Sequence, residues 1–459
     1  MSLQDVRRRT GFWAAGLGLA LFAAMALPAS HGYAADKIFP SGAKISSDDP
    51  DQWFSIGMGV RTSFNSQQNA APDGKSYSNN FGIDNARIYM NGGINKYLKF
   101  EFNTECFNCP SSINGGGGGN GSGGGSNPSA NNFFGGNSTI GILDAIGKFE
   151  YNSFLNLWVG RLLVPGERGE LNGPFFHPTY DGFRTPFNSA DFSGNFGKGG
   201  AGLYGRDNGA VFWGQIDPAF AHIQYSLGVF TGLQSSGGTG CGGGPCGPNQ
   251  SGNLMYAGRL TFNFLNPEKN PGYYTAGTYY GKAGDILAIA AGFNHQADGA
   301  GSFQHSSDMT ILTSDLLFEK VLPDKGVFTF NAEYKRYWAG YSTLAFNDPG
   351  VNGVAGSPGN NFGMFRGSSY TAYALYLFPQ TVGIGRFQPY GRYTFIDAQN
   401  SANRSEWEGG LNYIIQGFNS RISAFWQYGD IATKSLFNWS PTAAGNHVSR
   451  FVMAYQFQF

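Results

Sequence analysis

Beyond residue 34 this chain has no run of 18 or more apolar residues, yet it keeps returning to short segments in which apolar and polar residues alternate. Residues 450–459, RFVMAYQFQF, show the pattern most plainly. Phe451, Met453, Tyr455, Phe457 and Phe459 fall on one face of a strand, and Arg450, Val452, Ala454, Gln456 and Gln458 on the other, because successive side chains of a β-strand point to opposite sides. On a soluble sheet an edge this aromatic would invite aggregation. In a closed membrane barrel the aromatic face meets lipid, the polar face meets water, and strand pairing satisfies the backbone.

The N-terminus agrees with export. Arg7, Arg8 and Arg9 precede the apolar stretch FWAAGLGLALFAAMAL, and small residues follow with a cleavage site after Ala34 or Ala35. Residues 1–34 are therefore expected to be a signal peptide, residues 35–51 a periplasmic N-terminal segment, and residues 52–459 the barrel. A Phe closing an alternating aromatic strand also resembles the signal by which bacterial outer-membrane proteins are recognised for insertion. The 71 glycines and the 13% of charged residues depart from an average globular chain, with its about 7% Gly and about 25% charged residues. Without the leader, 27 basic residues face 29 acidic ones. That balance gives no bias toward nucleic acid.

Sixteen strands are legible. They cover residues 53–64, 81–93, 97–105, 142–151, 155–163, 207–216, 221–230 and 253–264, then 285–296, 308–319, 326–338, 369–379, 387–397, 405–415, 419–430 and 450–459. The number is even, as closed bacterial barrels require, and large enough to enclose water. The fold class expected is an all-β transmembrane antiparallel barrel of 16 strands. Short turns, as at residues 94–96, alternate with long loops, which assigns the turns to the periplasm and the loops to the outside. Residues 106–138 form a Gly-rich extracellular loop with no core of its own. Residues 164–204 are long but rich in proline and aromatics, and ordered loops of such length are usually functional.

The chemistry available is limited. Cys106/Cys109 and Cys241/Cys246 form two close pairs, and local disulfides are the default in an oxidising compartment. A four-thiolate metal site would need both pairs in one place. No nucleophile elbow or Glu-bearing His motif accompanies the six histidines, so neither an enzyme nor a bound cofactor is expected.

Several ordered stretches resemble the phosphate-selective porin O/P family: NARIYMNGGINKYLKFEFNTE, LDAIGKFEYNSFLNLWVGRLLVPGERGEL, RDNGAVFWGQIDPAFAHIQYSLGVFTG, YAGRLTF, YALYLFP with GRFQPYGRYTFID, and GLNYIIQGFNSRI. They run from about residue 80 to the last strand. The resemblance implies an outer-membrane porin, commonly trimeric, whose third extracellular loop folds inward and narrows the pore. Here that loop is 164–204. Phosphate-selective members line the pore with arginines and constriction lysines, which replace phosphate hydration. The pore-lining candidates on water-facing positions are Arg61, Arg87, Lys99, Arg259, Arg392 and Arg421. The constriction-loop candidates are Arg168, Arg184, Lys198, Glu167 and Asp181. Carboxylates such as Glu101, Asp144, Asp315, Glu333, Glu406 and Glu408 are interleaved with these cations, so a second role for each arginine is to brace the barrel wall. The function expected is passive diffusion of small hydrophilic solutes and ions, anions such as phosphate among them, by a homotrimer in outer-membrane lipid. The alternative is a structural or interaction barrel without a transport role.

Overall fold

The computed structural model describes residues 42–107, 139–182, 184–186, 205–233, 248–301, 303, 305–339, 365–399, 401–434, 436 and 441–459. The proposed leader, residues 1–34, lies outside them. The first strand, β1 (Ala43–Ser46), is short. It is followed by β2 (Trp53–Gln67), β3 (Ser78–Gly93), β4 (Leu98–Phe107), β5 (Thr139–Glu150), β6 (Asn156–Leu163), β7 (Arg206–Ile216), β8 (His222–Phe230) and β9 (Met255–Asn263). The second half holds β10 (Ile286–Gly301), β11 (Ser306–Val321), β12 (Val327–Ala339), β13 (Gly367–Leu377), β14 (Arg386–Ala398), β15 (Arg404–Gln416), β16 (Ser420–Gly429) and β17 (Val448–Gln458).

From β2 to β17 each strand pairs antiparallel with its neighbour in sequence. The ring closes where β17 meets β2, with Phe457 opposite Val60 and Gln456 opposite Arg61. The result is a closed 16-stranded antiparallel β-barrel, and all sixteen strands coincide with segments of alternating sequence. The four-residue β1, inside the N-terminal segment, adds to the outside of the count by pairing with β2, Ala43 opposite Ile56. Its sequence AKIS is too short to signal a strand.

The alternation sets the two faces. Along β2, Ile56 and Met58 are exposed while Ser55, Arg61, Ser63 and Asn65 are buried. The same holds on β17, where Tyr455 is exposed and Gln456 is fully buried. Apolar residues point outward to lipid and polar ones inward, the reverse of a soluble core. Rings gather near both ends of the outer face. Tyr97, Phe149 and Tyr151 stack at one end; Tyr393 with Trp407 and Trp426 with Tyr428 stack at the other. These are the aromatic girdles of a membrane barrel.

The expected alternation of short turns and long loops is not strict, since β14 and β15 are closely joined at the long-loop end. The connection 264–285, between β9 and β10, emerges at the short-turn end but is long, whereas residues 302–305, at the opposite end, form a short link. Extra chain at the short-turn end goes into the barrel, as described next.

Candidate pore and its inward segments

Residues 164–186 leave β6 and run against the polar inner faces of strands on both sides of the ring. A five-residue helix, α1 (Arg168–Asn172), opens the segment and ends at Gly173, whose φ of 60° suits a residue without Cβ. Asn294 Nδ2 on β10 donates to Pro165 O at 3.1 Å, and Arg61 on β2 donates to Tyr180 O. In a 16-strand ring β2 and β10 are opposite, so the segment crosses the lumen between them.

Strand cations hold this segment by its backbone. Arg259 donates to Gly166 O at 2.8 Å, and Lys335 to Pro186 O at 2.6 Å. Arg421 donates to the carbonyls of His177 at 2.7 Å and Pro178 at 3.0 Å. Arg392 donates to Thr179 Oγ1 at 2.8 Å and to Asp181 O. Carbonyls inside a barrel have no sheet partner, and a charged donor is the strong way to satisfy them. Asn412 and Gln456 add contacts to Pro178 O and Phe175 O at 3.0 and 2.9 Å.

Side chains of the segment complete the attachment. Arg168 forms a bidentate pair with Glu268, both contacts at 2.7 Å, and also reaches Asp315 and Ala276 O. Glu167 and Glu170 both hold Lys335, at 2.6 and 2.9 Å. Asp181 meets Arg450 at 2.5 Å and Gln427 at 3.1 Å, and Arg184 pairs with Glu406. Burial pushes the Asp181 carboxyl up, but Arg450, Arg184 and Arg392 outweigh it and hold the group well below the ordinary carboxylate range. Burial, aided by Arg392 and Arg421, holds His177 well below its ordinary value, so its ring stays neutral. Burial raises Glu167 well above the usual range, with Glu333 and Glu170 adding repulsion against the attraction of Lys335.

A second inward segment, 266–284, packs against the first from the short-turn end. Thr275 Oγ1 lies 3.0 Å from Arg168 O and 2.6 Å from Asn172 Oδ1, Gly277 N donates to Phe176 O at 3.2 Å, and Tyr273 Oη reaches Leu163 O. A Cβ on Gly277 would lie 2.2 Å from Pro178 Cδ, so glycine is required for the two segments to touch. Glu319 on β11 accepts from Thr278 Oγ1 at 2.7 Å, Tyr279 N at 2.9 Å and Gly281 N at 2.8 Å. Sequence reasoning passed over these residues, although the doublets Tyr273–Tyr274 and Tyr279–Tyr280 in a run of glycines hinted at an ordered connection.

The remaining candidates lie on the wall of β3 to β7. Arg87 pairs with Glu105. Lys99 pairs with Glu150 at 2.6 Å near the short-turn end. Lys148 meets Glu101 at 2.5 Å and Arg206 meets Asp144 at 3.0 Å. Lys198 lies outside the described residues, as do Cys109, Cys241 and Cys246; Cys106 is disulfide-bonded. Between this wall and the two inward segments lies a cavity of about 610 Å³, lined by Trp53, Glu101, Lys148, Arg206, Phe176 and Tyr274 among others.

Closed ring, lipid-facing apolar surface and polar lumen are now in place. The fold is that of an outer-membrane porin. The chain aligns with Salmonella typhi OmpF, solved with daunomycin, at a TM-score of 0.50 and 8% identity, covering 91% of this chain and 100% of that one. Also similar are an anion-selective porin from Comamonas acidovorans, with TM-score 0.47, 12% identity and coverage of 88% and 99%, and the outer-membrane channel DcaP of Acinetobacter baumannii, with TM-score 0.45, 13% identity and coverage of 90% and 99%. At 8% identity the likeness to OmpF speaks to the fold alone. No family model matches the sequence, and no curated protein is similar to it. The barrel belongs in the bacterial outer membrane.

One grouping outside the lumen carries chemistry that the sequence did not reveal. Ser405 Oγ lies 3.2 Å from His447 Nε2, and His447 Nδ1 lies 3.9 Å from Asp430, which also binds Lys434 at 2.6 Å. The His–Asp separation exceeds hydrogen-bond reach, so the relay of a serine hydrolase is incomplete as it stands. Among the described residues no group of His, Cys, Asp and Glu is arranged to hold a metal ion.

Proposed function

We propose that this protein is a passive diffusion channel of the outer membrane, in which residues 164–186 form the constriction. The reading rests on one observation: the segment crosses from β2 to β10 and is fixed at both ends by strand side chains, while a cavity stays open beside it. Solutes pass on the side of β2 to β7, and the wall charges tune which ions follow. The solutes are small and hydrophilic, anions such as phosphate among them, and the assembly is a homotrimer. The resemblance to the phosphate-selective porin O/P family supports the anion part of this reading. Against a phosphate-specific ladder stands the use of Arg61, Arg259, Arg392 and Arg421, whose guanidinium groups are engaged by loop carbonyls and wall carboxylates.

The test is single-channel recording across a KCl gradient, with phosphate titrated in. Stable current with weak selectivity supports a general channel, and micromolar block by phosphate supports a specific site. Absence of current would overturn the channel reading.

A further inference from the structure

The cavity beside the constriction is unequally charged. Among the described residues its lining holds five cations, Lys44, Arg87, Lys148, Arg206 and Lys269, against the carboxylates of Glu101 and Asp144. Three of the cations are matched: Lys148 with Glu101 at 2.5 Å, Arg206 with Asp144 at 3.0 Å, and Arg87 with Glu105. The surplus therefore lies with Lys44 and Lys269. Both are exposed, and neither forms an ion pair with any described residue. Lys44 belongs to β1 and Lys269 to the second inward segment, so both stand at the short-turn end, at the mouth of the cavity. The terminal carboxylate of Phe459, also in the lining, offsets no more than one of them. A fixed positive excess at the mouth draws anions in and works against cations.

A separate observation concerns the rings of the same lining. Trp53, Tyr89, Phe176 and Tyr274 all border the cavity and are only half-buried, so ring surface is left for a solute. Leu171 and Pro271 extend that apolar surface on the inward segments. Each surplus cation has a ring in its company. Lys44 Nζ lies 4.8 Å from the centre of the Trp53 ring, and Lys269 shares its segment with Tyr274. A bare hydrated anion such as phosphate gains nothing from apolar surface, because shedding its water there is costly. A flat ring gains by stacking on it.

From these two features together we infer that the cavity is a binding site for organic anions in which a carboxylate is carried on an aromatic ring. The reading rests on the channel function proposed above and names its solute class. The carboxylate takes Lys44 and Lys269 as its counter-charges, since the other cations of the lining already hold carboxylates. The ring lies against the aromatic surface beside them. The volume of about 610 Å³ lies within the range of about 300–1,000 Å³ usual for small-molecule sites.

The experiment uses the full-length protein in planar bilayers, carrying a steady KCl current, with benzoate added from one side. Acetate and phosphate, which lack the ring, and benzamide, which lacks the charge, are the comparisons. Benzoate lowers the current saturably, at a half-blocking concentration about tenfold or more below that of each comparison. Its block weakens as KCl is raised, because exposed lysines are screened by salt. Lys44→Gln combined with Lys269→Gln raises the half-blocking concentration about tenfold and removes that salt dependence. Tyr274→Ala raises it about fivefold and leaves the salt dependence in place. Current without saturable block by benzoate overturns the site and leaves the channel standing. Equal or stronger block by phosphate overturns it in favour of an inorganic-anion site, and equal block by benzamide removes the charge from the argument. If no current flows, the channel reading has failed, and equilibrium binding of benzoate to the detergent-solubilised protein decides the site by itself. Should Tyr274→Ala not insert, the lysine variant and the four-solute comparison still decide.

Discussion

The two sides of the lumen use the same residue types for different ends. On the side of β9 to β17, inward cations are turned toward the chain that fills the barrel. Arg259, Lys335, Arg392 and Arg421 all donate to backbone carbonyls of residues 166–186. On the side of β3 to β7 the cations bind carboxylates of nearby strands, as in Arg87–Glu105, Lys148–Glu101 and, across β6, Arg206–Asp144, and space is left beside them. One half of the ring is an anchorage and the other borders open space. An inward arginine is therefore no evidence of an anion path by itself. What it donates to decides its role.

The comparison is broken most directly by removing the filling. Deleting residues 166–185 should raise conductance severalfold; an unchanged conductance would show that the segment does not constrict the pore. Next in size is Arg168→Met. It leaves Glu268 and Asp315 without one of their cations inside the barrel and should cost about 3–5 kcal/mol, read as a lower urea midpoint of the folded barrel. Arg421→Ala, which strips the carbonyls of His177 and Pro178 of their charged donor, should cost about 1–3 kcal/mol and appear as current noise from a loosened segment. Glu101→Gln, on the open side, should spare stability by comparison and shift the reversal potential toward anions, since one wall carboxylate is lost.

The smallest effect should come from acid. The Asp181 carboxyl is held below its ordinary value, so its contribution is complete above that value and is lost only as pH falls well beneath it. His177 is held neutral and adds no charge over the same range. Conductance should stay flat from pH 7 to about 4 as far as these two groups govern it. A step near pH 6 would show that His177 is more accessible than its contacts indicate.

How far the residues alone carried the reading depends on the range of the interaction. Strands were legible because the side-chain period of two is written within each segment, and 450–459 declared its faces before any partner was known. The short β1 escaped because four residues carry too little pattern. The inward path of loop 164–204 was implied by the family resemblance, while its length and aromatics pointed only to an ordered, functional loop; its anchors were not legible, since Arg392 and Asp181 are far apart in sequence and meet only in space. The segment 266–284 was missed because it has neither strand nor helix period; what holds it is Glu319 on the next strand and Pro178 on the other inward segment.

By itself, then, the sequence determined a membrane barrel of sixteen strands with an aromatic outside and a charged inside. Local alternation suffices for that, because lipid and water sort the two faces of every strand in the same way. Only the tertiary structure decided which inward charges clamp backbone and which border open space. That choice depends on where two irregular segments come to rest, and nothing within a single strand encodes it.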